Sequence, residues 1–144
     1  MRVLVQRSGK AKVEVDGKIT GSIDRGLMLL VGFTEGDSIK EIEYLARKVV
    51  NLRIFDDENG VMNKSILDVG GSVLSVSQFT LYADTTKGNR PSYINALGGE
   101  EAIKLYEAFN KELEKYVEVG TGVFGAEMQV SFTNDGPITI MLER

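Results

Sequence analysis

The sequence predicts an α/β fold, a single-domain layered sandwich over residues 1–144 with two main helices. Three observations support this prediction. The chain has 144 residues, which is the usual size of one domain. About six or seven segments have the apolar pattern of strands, and two have apolar residues at helical spacing. No internal repeat, low-complexity tract or linker divides the chain.

The first quarter of the chain is predicted to form strands. Residues 1–7, MRVLVQR, alternate apolar and polar side chains at the period of a strand. Residues 11–20, AKVEVDGKIT, have the pattern of a hairpin with Asp16-Gly17 at its turn. Residues 25–33, RGLMLLVGF, are apolar almost throughout, which predicts a strand buried on both faces.

A helix is predicted next, followed by a short extended segment. Asp37 or Ser38 provides the cap, and apolar residues recur at helical spacing over residues 39–49. Residues 53–55, RIF, are predicted to be extended. Residues 56–60, DDENG, are predicted to form a turn.

The second half contains another strand, a long loop and a second helix. Residues 70–79, GGSVLSVSQF, predict a buried strand that ends in polar side chains. Residues 84–99 are rich in Gly, Asn, Thr and Pro, and a loop of this length indicates a function. The helix is predicted over residues 100–116. The last two strands, 127–132 and 138–142, flank the motif NDGPIT.

The composition bounds the protein's class and compartment. Apolar residues make up 42% and charged residues 26%, an ordinary globular balance. The longest apolar run, LMLLVGF, is too short to span a membrane, and the first ten residues resemble a strand and not a secretory signal. With no cysteine there are no disulfides or thiolate metal sites, and we expect a cytoplasmic protein.

The chain has no histidine, which removes the usual general base and the commonest metal ligand. Its net charge of −4 argues against wrapping a long nucleic acid, so no DNA partner is expected. Basic residues nevertheless cluster at a few positions. They are either solvated strand ends or a small phosphate-contact patch, comprising Arg2, Arg7, Lys10, Lys12, Lys87 and Arg90.

Three further stretches each allow a structural or a functional interpretation. Ser77, Gln78 and Thr80 end a buried strand, where they either satisfy backbone groups or form the edge of an active site. Residues 86–93, TKGNRPSY, are either an exposed loop or a site for phosphate and a stacked base. Residues 121–130, TGVFGAEMQV, place Phe124 either in the core or in a pocket wall.

The motif NDGPIT raises the question of why Gly136-Pro137 lies between two strands. Proline has no backbone N–H and is a poor choice inside a sheet. The simpler interpretation is a hairpin loop, because Asn134, Asp135 and Gly-Pro favour turns. The alternative is a cis Gly136-Pro137 bond that turns two carbonyl groups to one side, where they grip an ammonium group.

Together these stretches resemble the D-aminoacyl-tRNA deacylase family. SQFTL at 77–81 and NDGPIT at 134–139 are similar to that family's two signature motifs. Tyr82 and Tyr93 depart from the residues expected at their positions, and the end of the chain varies. The resemblance covers essentially the whole chain in order, through QR at 6–7, RIF, GGSVLSVSQFTL, RPSY at 90–93 and TGVFGAEMQV.

The resemblance implies a cytoplasmic homodimer of layered α/β/β architecture with mixed, largely antiparallel sheets and active sites at the subunit interface. It implies hydrolysis of the ester between a D-amino acid and tRNA, and of glycine mischarged on alanine tRNA, as chiral proofreading in translation. The implied partners are a second copy and the aminoacyl-tRNA 3′ end. No cofactor, no metal, no membrane and no DNA are implied.

The resemblance also assigns residues. Ser77, Gln78, Phe79 and Thr80 are the catalytic positions, and with Leu81 they line the pocket for the 3′-terminal adenosine. Gly136 and Pro137 match a Gly-cisPro element that reaches into the partner's pocket and rejects L-aminoacyl-tRNA, and Arg7 braces this element. We expect the Arg7 guanidinium to bond the carbonyls that fix the Gly-Pro turn. Substrate binding is also expected at Asn134, Thr139, Ala126 and Met128.

The missing histidine fits an ester that is already activated by its α-ammonium group and a neighbouring ribose hydroxyl. Backbone N–H groups near Gln78 and Phe79 are the candidate oxyanion donors. Two alternatives stay open. One is a Thr80 or Ser77 esterase with a covalent acyl-enzyme, which lacks an evident base. The other is a non-catalytic dimer that binds the tRNA end.

Overall fold

A computed structural model describes all 144 residues. Most of the strands form one mixed sheet in the order β2-β1-β3-β6-β7, and β8 pairs with the other side of β1. β4 and β5 form a separate small hairpin. The elements in chain order are β1 Arg2–Val15, β2 Lys18–Ile23, β3 Gly26–Gly32, α1 Ile39–Asn51, β4 Phe55–Asp56, β5 Met62–Lys64, α2 Ile66–Val69, β6 Ser72–Ser77, α3 Gly99–Glu114, β7 Val119–Thr121 and β8 Gln129–Glu143.

The first strand is longer than the sequence predicts. Residues 1–7 and the first arm of the hairpin at 11–20 form one continuous strand, β1. Its first half pairs antiparallel with β3, and its second half pairs antiparallel with β2. The predicted hairpin turn is present, because Asp16 and Gly17 have φ values of 50° and 76°, as a tight two-residue turn between strands requires.

The predicted buried strands are present and explain why the sheet is mixed. β3 and β6 pair in parallel, and β6 pairs in parallel with β7, a short strand that the sequence pattern did not indicate. The sheet curls until β2 approaches β7. At that point a Cβ on Gly21 would lie 2.5 Å from the Thr121 carbonyl oxygen, so only glycine permits the near-closure.

Both main helices are present and have the expected caps and faces. Ser38, not Asp37, caps α1 through a capping box with Glu41. α3 ends at Glu114, two residues before the predicted end. The four-residue helix α2 was not predicted, because its length is too short for a periodic pattern. None of the three helices combines the length and apolar character that a membrane-spanning helix needs.

Two apolar clusters separate the layers and confirm the layered α/β class. The larger cluster lies between the helices and one face of the sheet, where Val3, Leu29 and Phe109 are fully buried. The smaller one lies on the opposite face, inside the curl, and includes Val13 and Leu74. The helices therefore form a layer on one face of the sheet, and the curled part of the sheet forms the layer on its other face.

The C-terminal segment corrects one prediction. The two strands expected at 127–132 and 138–142 are the two halves of β8, and both pair antiparallel with β1. Gln6 pairs with Thr139 and Ser8 pairs with Asn134, so residues 135–138 form a bulge opposite Arg7. The Gly-Pro motif is therefore a bulge within one strand and not a hairpin loop.

Candidate active site

A pocket of about 290 Å³ opens beyond the ends of β3 and β6. The carboxyl ends of parallel strands meet at one edge of a sheet, which is a common place for a ligand. Ten of the fourteen residues that line the pocket are hydrophobic. Of the positions assigned from the sequence, the structure brings together five in this pocket, namely Ser77, Gln78, Phe79, Ala126 and Met128.

The back wall of the pocket is held in place by a buried tyrosine, Tyr106. Phe124 lines the pocket and packs against the Tyr106 ring with a centroid distance of 5.8 Å, so it belongs to both pocket and core. The Tyr106 hydroxyl donates to the Ser75 carbonyl oxygen at 2.7 Å. Burial raises the pKa of Tyr106, so it stays a neutral donor that fixes the end of β6.

The chain just after β6 supplies polar groups at the pocket edge. The Gln78 N–H donates to the Val31 carbonyl oxygen at 2.7 Å, so it is not free to bind an oxyanion. The side-chain amide of Gln78 donates to the Thr80 hydroxyl. The N–H groups of Phe79 and Thr80 begin a 3₁₀ helix over Phe79–Tyr82 and precede its first internal hydrogen bond. They replace Gln78 as the available donors.

No side chain of the pocket can act as a base. Its lining contains no Asp, Glu, Lys, Arg or Tyr. Thr80 Oγ accepts from an amide that cannot take its proton, so it has no activating partner. Tyr82, the last residue of the 3₁₀ helix, does not line the pocket, and burial, with a smaller contribution from Asp37, raises its pKa to about 12. Within one chain, a covalent hydroxyl mechanism therefore has no proton acceptor beside Thr80 or Ser77.

An exposed aromatic pair stands at the pocket mouth. Phe79 and Tyr93 are 51% and 41% exposed, and their rings meet edge to face with centroids 5.0 Å apart. Tyr93 follows a narrow hairpin, which residues Asp84 and Ser92 close with two backbone hydrogen bonds of 2.8 and 2.9 Å. The long loop predicted over 84–99 is thus ordered by its own hydrogen bonds.

The Gly-Pro bulge forms a second cluster of assigned residues. The Gly136-Pro137 peptide bond is cis, as the sequence interpretation expected. With its amide oriented to satisfy every neighbour, Asn134 donates to the carbonyl oxygens of Arg7 and Ile138 at 3.2 and 3.1 Å. Its oxygen then accepts from Gln6 and from the Thr139 hydroxyl. Asn134 therefore spans the bulge and holds its two ends together.

Arg7 lies under the bulge but contacts it differently from the expectation. The sequence interpretation predicts that its guanidinium bonds the carbonyls that fix the Gly-Pro turn. In the structure Nη1 donates to the Ile54 carbonyl oxygen at 2.8 Å, and Nε lies 3.1 Å from the Asp135 carboxylate. A Cβ on Gly136 would lie 3.3 Å from Nη2, so the guanidinium packs closely against the glycine. Arg7 supports the element from below, through Asp135.

The pocket and the bulge lie at opposite ends of the same strands. Arg2 of β1 pairs with Gly32 at the pocket, whereas Arg7 pairs with Leu27 at the other end of β3. Five residues of strand span roughly 17 Å. One chain therefore does not bring its Gly-Pro element to its own pocket.

The structure also revises the basic patch and two pocket assignments. Arg2, Arg7 and Lys12 are ion-paired, with Glu143, Asp135 and Glu14 respectively, so they form no shared cationic surface. Thr80 and Leu81 lie beside the pocket and do not line it. The Leu81 carbonyl instead accepts from Arg2 Nη1 at 2.8 Å, which anchors the 3₁₀ helix to β1.

Sequence reasoning missed the lining residues that come from other segments. They are chiefly apolar and include Val31, Gly32, Phe33, Leu97 and Ala102. Only Gly32 carried a local signal, since glycine permits close approach: a Cβ there would lie 2.9 Å from the Gln78 carbonyl oxygen. The others become visible once β3 and β6 are known to be parallel neighbours.

Comparisons with known proteins agree on one family. A family model described as D-Tyr-tRNA(Tyr) deacylase matches residues 4–143. A curated D-aminoacyl-tRNA deacylase of Clostridium tetani (strain Massachusetts / E88) is 60% identical over 144 residues, covering 99% of this chain and 97% of the relative.

Two solved structures share the fold over nearly the full length. One, titled c-Myc DNA Unwinding Element Binding Protein, is 42% identical with a TM-score of 0.94, covering 100% of this chain and 99% of the other. The second, titled as a probable eukaryotic D-amino acid tRNA deacylase, is 18% identical with a TM-score of 0.82, covering 98% and 97%. At that lower identity the second match supports the fold alone.

Proposed function

The chain belongs to the D-Tyr-tRNA(Tyr) deacylase family and is a D-aminoacyl-tRNA deacylase, and from this premise we propose how two separate elements divide its work. The pocket at Ser77–Phe79 binds the terminal adenosine and the ester. The Gly136-Pro137 element of a second copy completes that pocket and selects chirality. The observation that supports this division is that the two elements lie at opposite ends of β3 within one chain.

The chemistry proceeds without a side-chain base. A water molecule adds to the ester carbonyl carbon, and the N–H groups of Phe79 and Thr80 stabilise the oxyanion that forms. The bond between that carbon and the ribose oxygen then breaks. The ribose oxygen takes the proton that the water loses, either directly or through the adjacent ribose hydroxyl, and free amino acid and tRNA are released. One such donor contributes roughly 2.7–4 kcal/mol of transition-state stabilisation.

The second copy is required because each pocket is incomplete. Asp135, Gly136 and Pro137 are exposed on the free edge of β8, which no other strand of the chain covers. A long unpaired edge strand is a ready surface for a second copy. In a twofold dimer each copy's bulge can enter the other's pocket, so two equivalent sites result.

Main-chain atoms select the D configuration in this arrangement. The Gly136-Pro137 carbonyls hold the substrate's ammonium group while the Phe79 segment holds its ester. The remaining two directions at the α-carbon are then distinct. A D-residue turns its side chain outward and its hydrogen toward Gly136, whereas an L-residue would push its Cβ into the Gly-Pro backbone. Rejection is steric, so glycine passes, and glycyl-tRNA mischarged on alanine tRNA is also a substrate.

The protein's compartment and its nucleic-acid partner complete this assignment. The enzyme acts in the cytoplasm on the single-stranded 3′ end of aminoacyl-tRNA. Its net charge of −4 disfavours a DNA partner, since nucleic-acid backbones attract basic surfaces.

A deacylation assay with matched D- and L-aminoacyl-tRNA tests the function. We expect release of the D-amino acid with L-aminoacyl-tRNA left intact, and release of glycine from glycyl-tRNA. Binding of tRNA with no amino acid released would support the alternative, a non-catalytic dimer that binds the tRNA end. An acyl adduct on Thr80 or Ser77, seen by mass spectrometry, would support the esterase alternative.

A further inference from the structure

A basic hairpin stands beside the pocket mouth and has no role in the chemistry above. We infer that this hairpin, residues 84–92, binds the phosphates of the tRNA nucleotides immediately before the terminal adenosine. The inference rests on the proposed function, because it takes the pocket as the site of that adenosine. It assigns Lys87 and Arg90 as phosphate ligands outside the pocket.

The hairpin has a fixed position relative to the pocket. Asp84 and Ser92 exchange two backbone hydrogen bonds at its base. Beyond it, the Leu97 N–H donates to the Phe33 carbonyl oxygen at 2.9 Å, and the Thr34 hydroxyl donates to the Asn95 carbonyl oxygen at 2.6 Å. Phe33 and Leu97 line the pocket, so the hairpin and the pocket share one frame.

The hairpin carries only positive charge toward solvent. Its exposed segment, TTKGNRPS over 85–92, has two basic residues and no acid. The one acid at its base, Asp84, accepts from the Thr86 N–H at 2.9 Å, and the hydrogen bonds with Thr86 lower the pKa of Asp84. That carboxylate therefore shapes the turn, while Lys87 and Arg90 form no ion pair within the chain.

Its charge contrasts with the rest of the molecule. Some other basic side chains are ion-paired within the chain, such as Arg2 with Glu143 and Lys64 with Glu58. On a protein of net charge −4, an unpaired lysine and arginine on one ordered turn form a local anion site. Phosphodiesters are the anions that an aminoacyl-tRNA presents next to its terminal nucleoside.

The dimensions fit one or two nucleotides. Gly88, at the tip, is four residues from Ser92, which allows a reach of at most about 14 Å. Between hairpin and pocket stand the exposed rings of Phe79 and Tyr93, 5.0 Å apart. Aromatic faces of this kind stack with unpaired bases irrespective of sequence. The strand can thus pass from the pocket, over the rings, to the two basic side chains.

The test compares two substrates and two double variants. K87Q/R90Q removes the hairpin's charge, and K104Q/K111Q removes the same charge from exposed positions of α3 as a control. Each protein is assayed on D-aminoacyl-tRNA and on the D-aminoacyl ester of adenosine, which has no upstream phosphate. The salt dependence of KM for the tRNA is measured alongside.

We expect K87Q/R90Q to raise KM for D-aminoacyl-tRNA about tenfold and to reduce the slope of log KM against log salt by about 1.4, as two single-strand phosphate contacts predict. The ratio of kcat/KM for tRNA to that for the adenosine ester falls accordingly. The control variant retains the wild-type slope and ratio.

Two outcomes would overturn the inference. One is an equal loss on both substrates, which would mean that the hairpin shapes the pocket. The other is an unchanged salt slope. A failure of the proposed function itself is distinguishable, because the wild-type enzyme would then hydrolyse neither substrate.

Discussion

Arg7 Nε lies 3.1 Å from the carboxylate of Asp135 across the bulge of β8. The arginine side chain is 11% exposed and the aspartate side chain 60%, so a largely buried cation forms an ion pair, without hydrogen-bond geometry, with an exposed carboxylate next to Gly136. The same guanidinium is fixed from below by the Ile54 carbonyl oxygen. The position of the Gly-Pro element therefore depends on β1 and on the segment before β4.

The first prediction concerns Arg7. We expect Arg7→Ala to fold but to lose about 2 kcal/mol of stability, because the Ile54 carbonyl and Asp135 lose their partner. Its kcat/KM for D-aminoacyl-tRNA should fall at least tenfold, since the bulge loses its support. Thermal melting and deacylation kinetics measure the two effects. Unchanged kinetics would remove Arg7 from the functional machinery.

A matched pair of milder variants tests whether Arg7 acts by positioning the bulge or by stabilising the whole fold. Asp135→Asn removes only the ion pair beside Gly136, and Asp56→Asn removes the more distant one, in which Asp56 lies 3.6 Å from Arg7 Nη1. Both carboxylates are exposed, so each substitution costs under about 1 kcal/mol of stability. We expect a loss of activity from Asp135→Asn alone. Equal effects would mean that Arg7 acts through general stability.

The second prediction concerns the nucleophile. Thr80→Ala should fold and keep most of its activity, because the Thr80 hydroxyl faces the Gln78 amide and no base. Single-turnover rates on D-aminoacyl-tRNA measure the effect, with Ser77→Ala as the control for the other hydroxyl. A loss of roughly 10⁴-fold or more in either variant would instead identify an essential nucleophile.

The third prediction tests whether two copies share a site. Ala126→Phe fills the pocket but leaves the bulge intact, and Gly136→Ala alters the bulge but leaves the pocket intact. Each variant alone should be inactive. When the two chains are co-refolded in equal amounts, half of the dimers are mixed and each has one complete site, so about 25% of the wild-type activity should return.

Concentration provides an independent check of the shared site. Sedimentation should show a dimer at the concentrations at which the enzyme is active. Two results would show that each chain completes its own site: no return of activity when the two inactive variants are mixed, or full activity of a monomer of 15.8 kDa. Either result would contradict the proposal that two copies share each site.

The sequence predicted an element of the fold correctly where its apolar pattern and its turn or cap residues are compatible with only one structure. The helix capped at Ser38 and the turn at Asp16-Gly17 are local features, so short segments specify them. The continuity of β8 was not predictable from Gly136-Pro137, because the same residues suit a hairpin or a bulge. Only the pairing of both flanks with β1, a contact between the two ends of the chain, decides between them.

The candidate site was likewise predictable where short segments specify it and not where tertiary contacts decide. Ser77, Gln78 and Phe79 end a buried strand, and a strand end at a sheet edge is a place where a pocket can form. Arg7 donates to a carbonyl oxygen, as the sequence predicts, but that carbonyl belongs to Ile54 and the contact beside Gly136 is the Asp135 carboxylate, because a guanidinium bonds carbonyls and carboxylates alike and the sequence does not show which is nearer. The sequence allows Arg2 as a solvated strand end or as part of a basic patch, whereas in the structure it lies over the Tyr82 ring and donates to the Leu81 carbonyl oxygen. Such choices depend on tertiary neighbours.

The last prediction concerns the main chain at Gly136 and Pro137. Gly136 has a φ of 122°, a conformation that residues with a side chain rarely adopt, and a Cβ there would lie 2.8 Å from Ile138 Cγ1. Gly136→Ala must therefore shift the bulge, and in the proposed arrangement it also fills the space for the substrate's α-hydrogen. Pro137→Ala introduces a flexible residue with an N–H, so the two carbonyls that we propose to hold the ammonium lose their fixed direction.

Both variants should lose most of their activity on D-aminoacyl-tRNA and on glycyl-tRNA, with melting temperatures within a few degrees of wild type because the bulge is exposed. Initial rates on D-, L- and glycyl-tRNA measure this, with Thr133→Ala, at an exposed position of β8 before the bulge, as the matched control. Pro137→Ala should also admit some L-aminoacyl-tRNA, since a mobile backbone no longer blocks the L side chain. Full activity with full D-over-L selectivity in either variant would show that chirality is selected elsewhere.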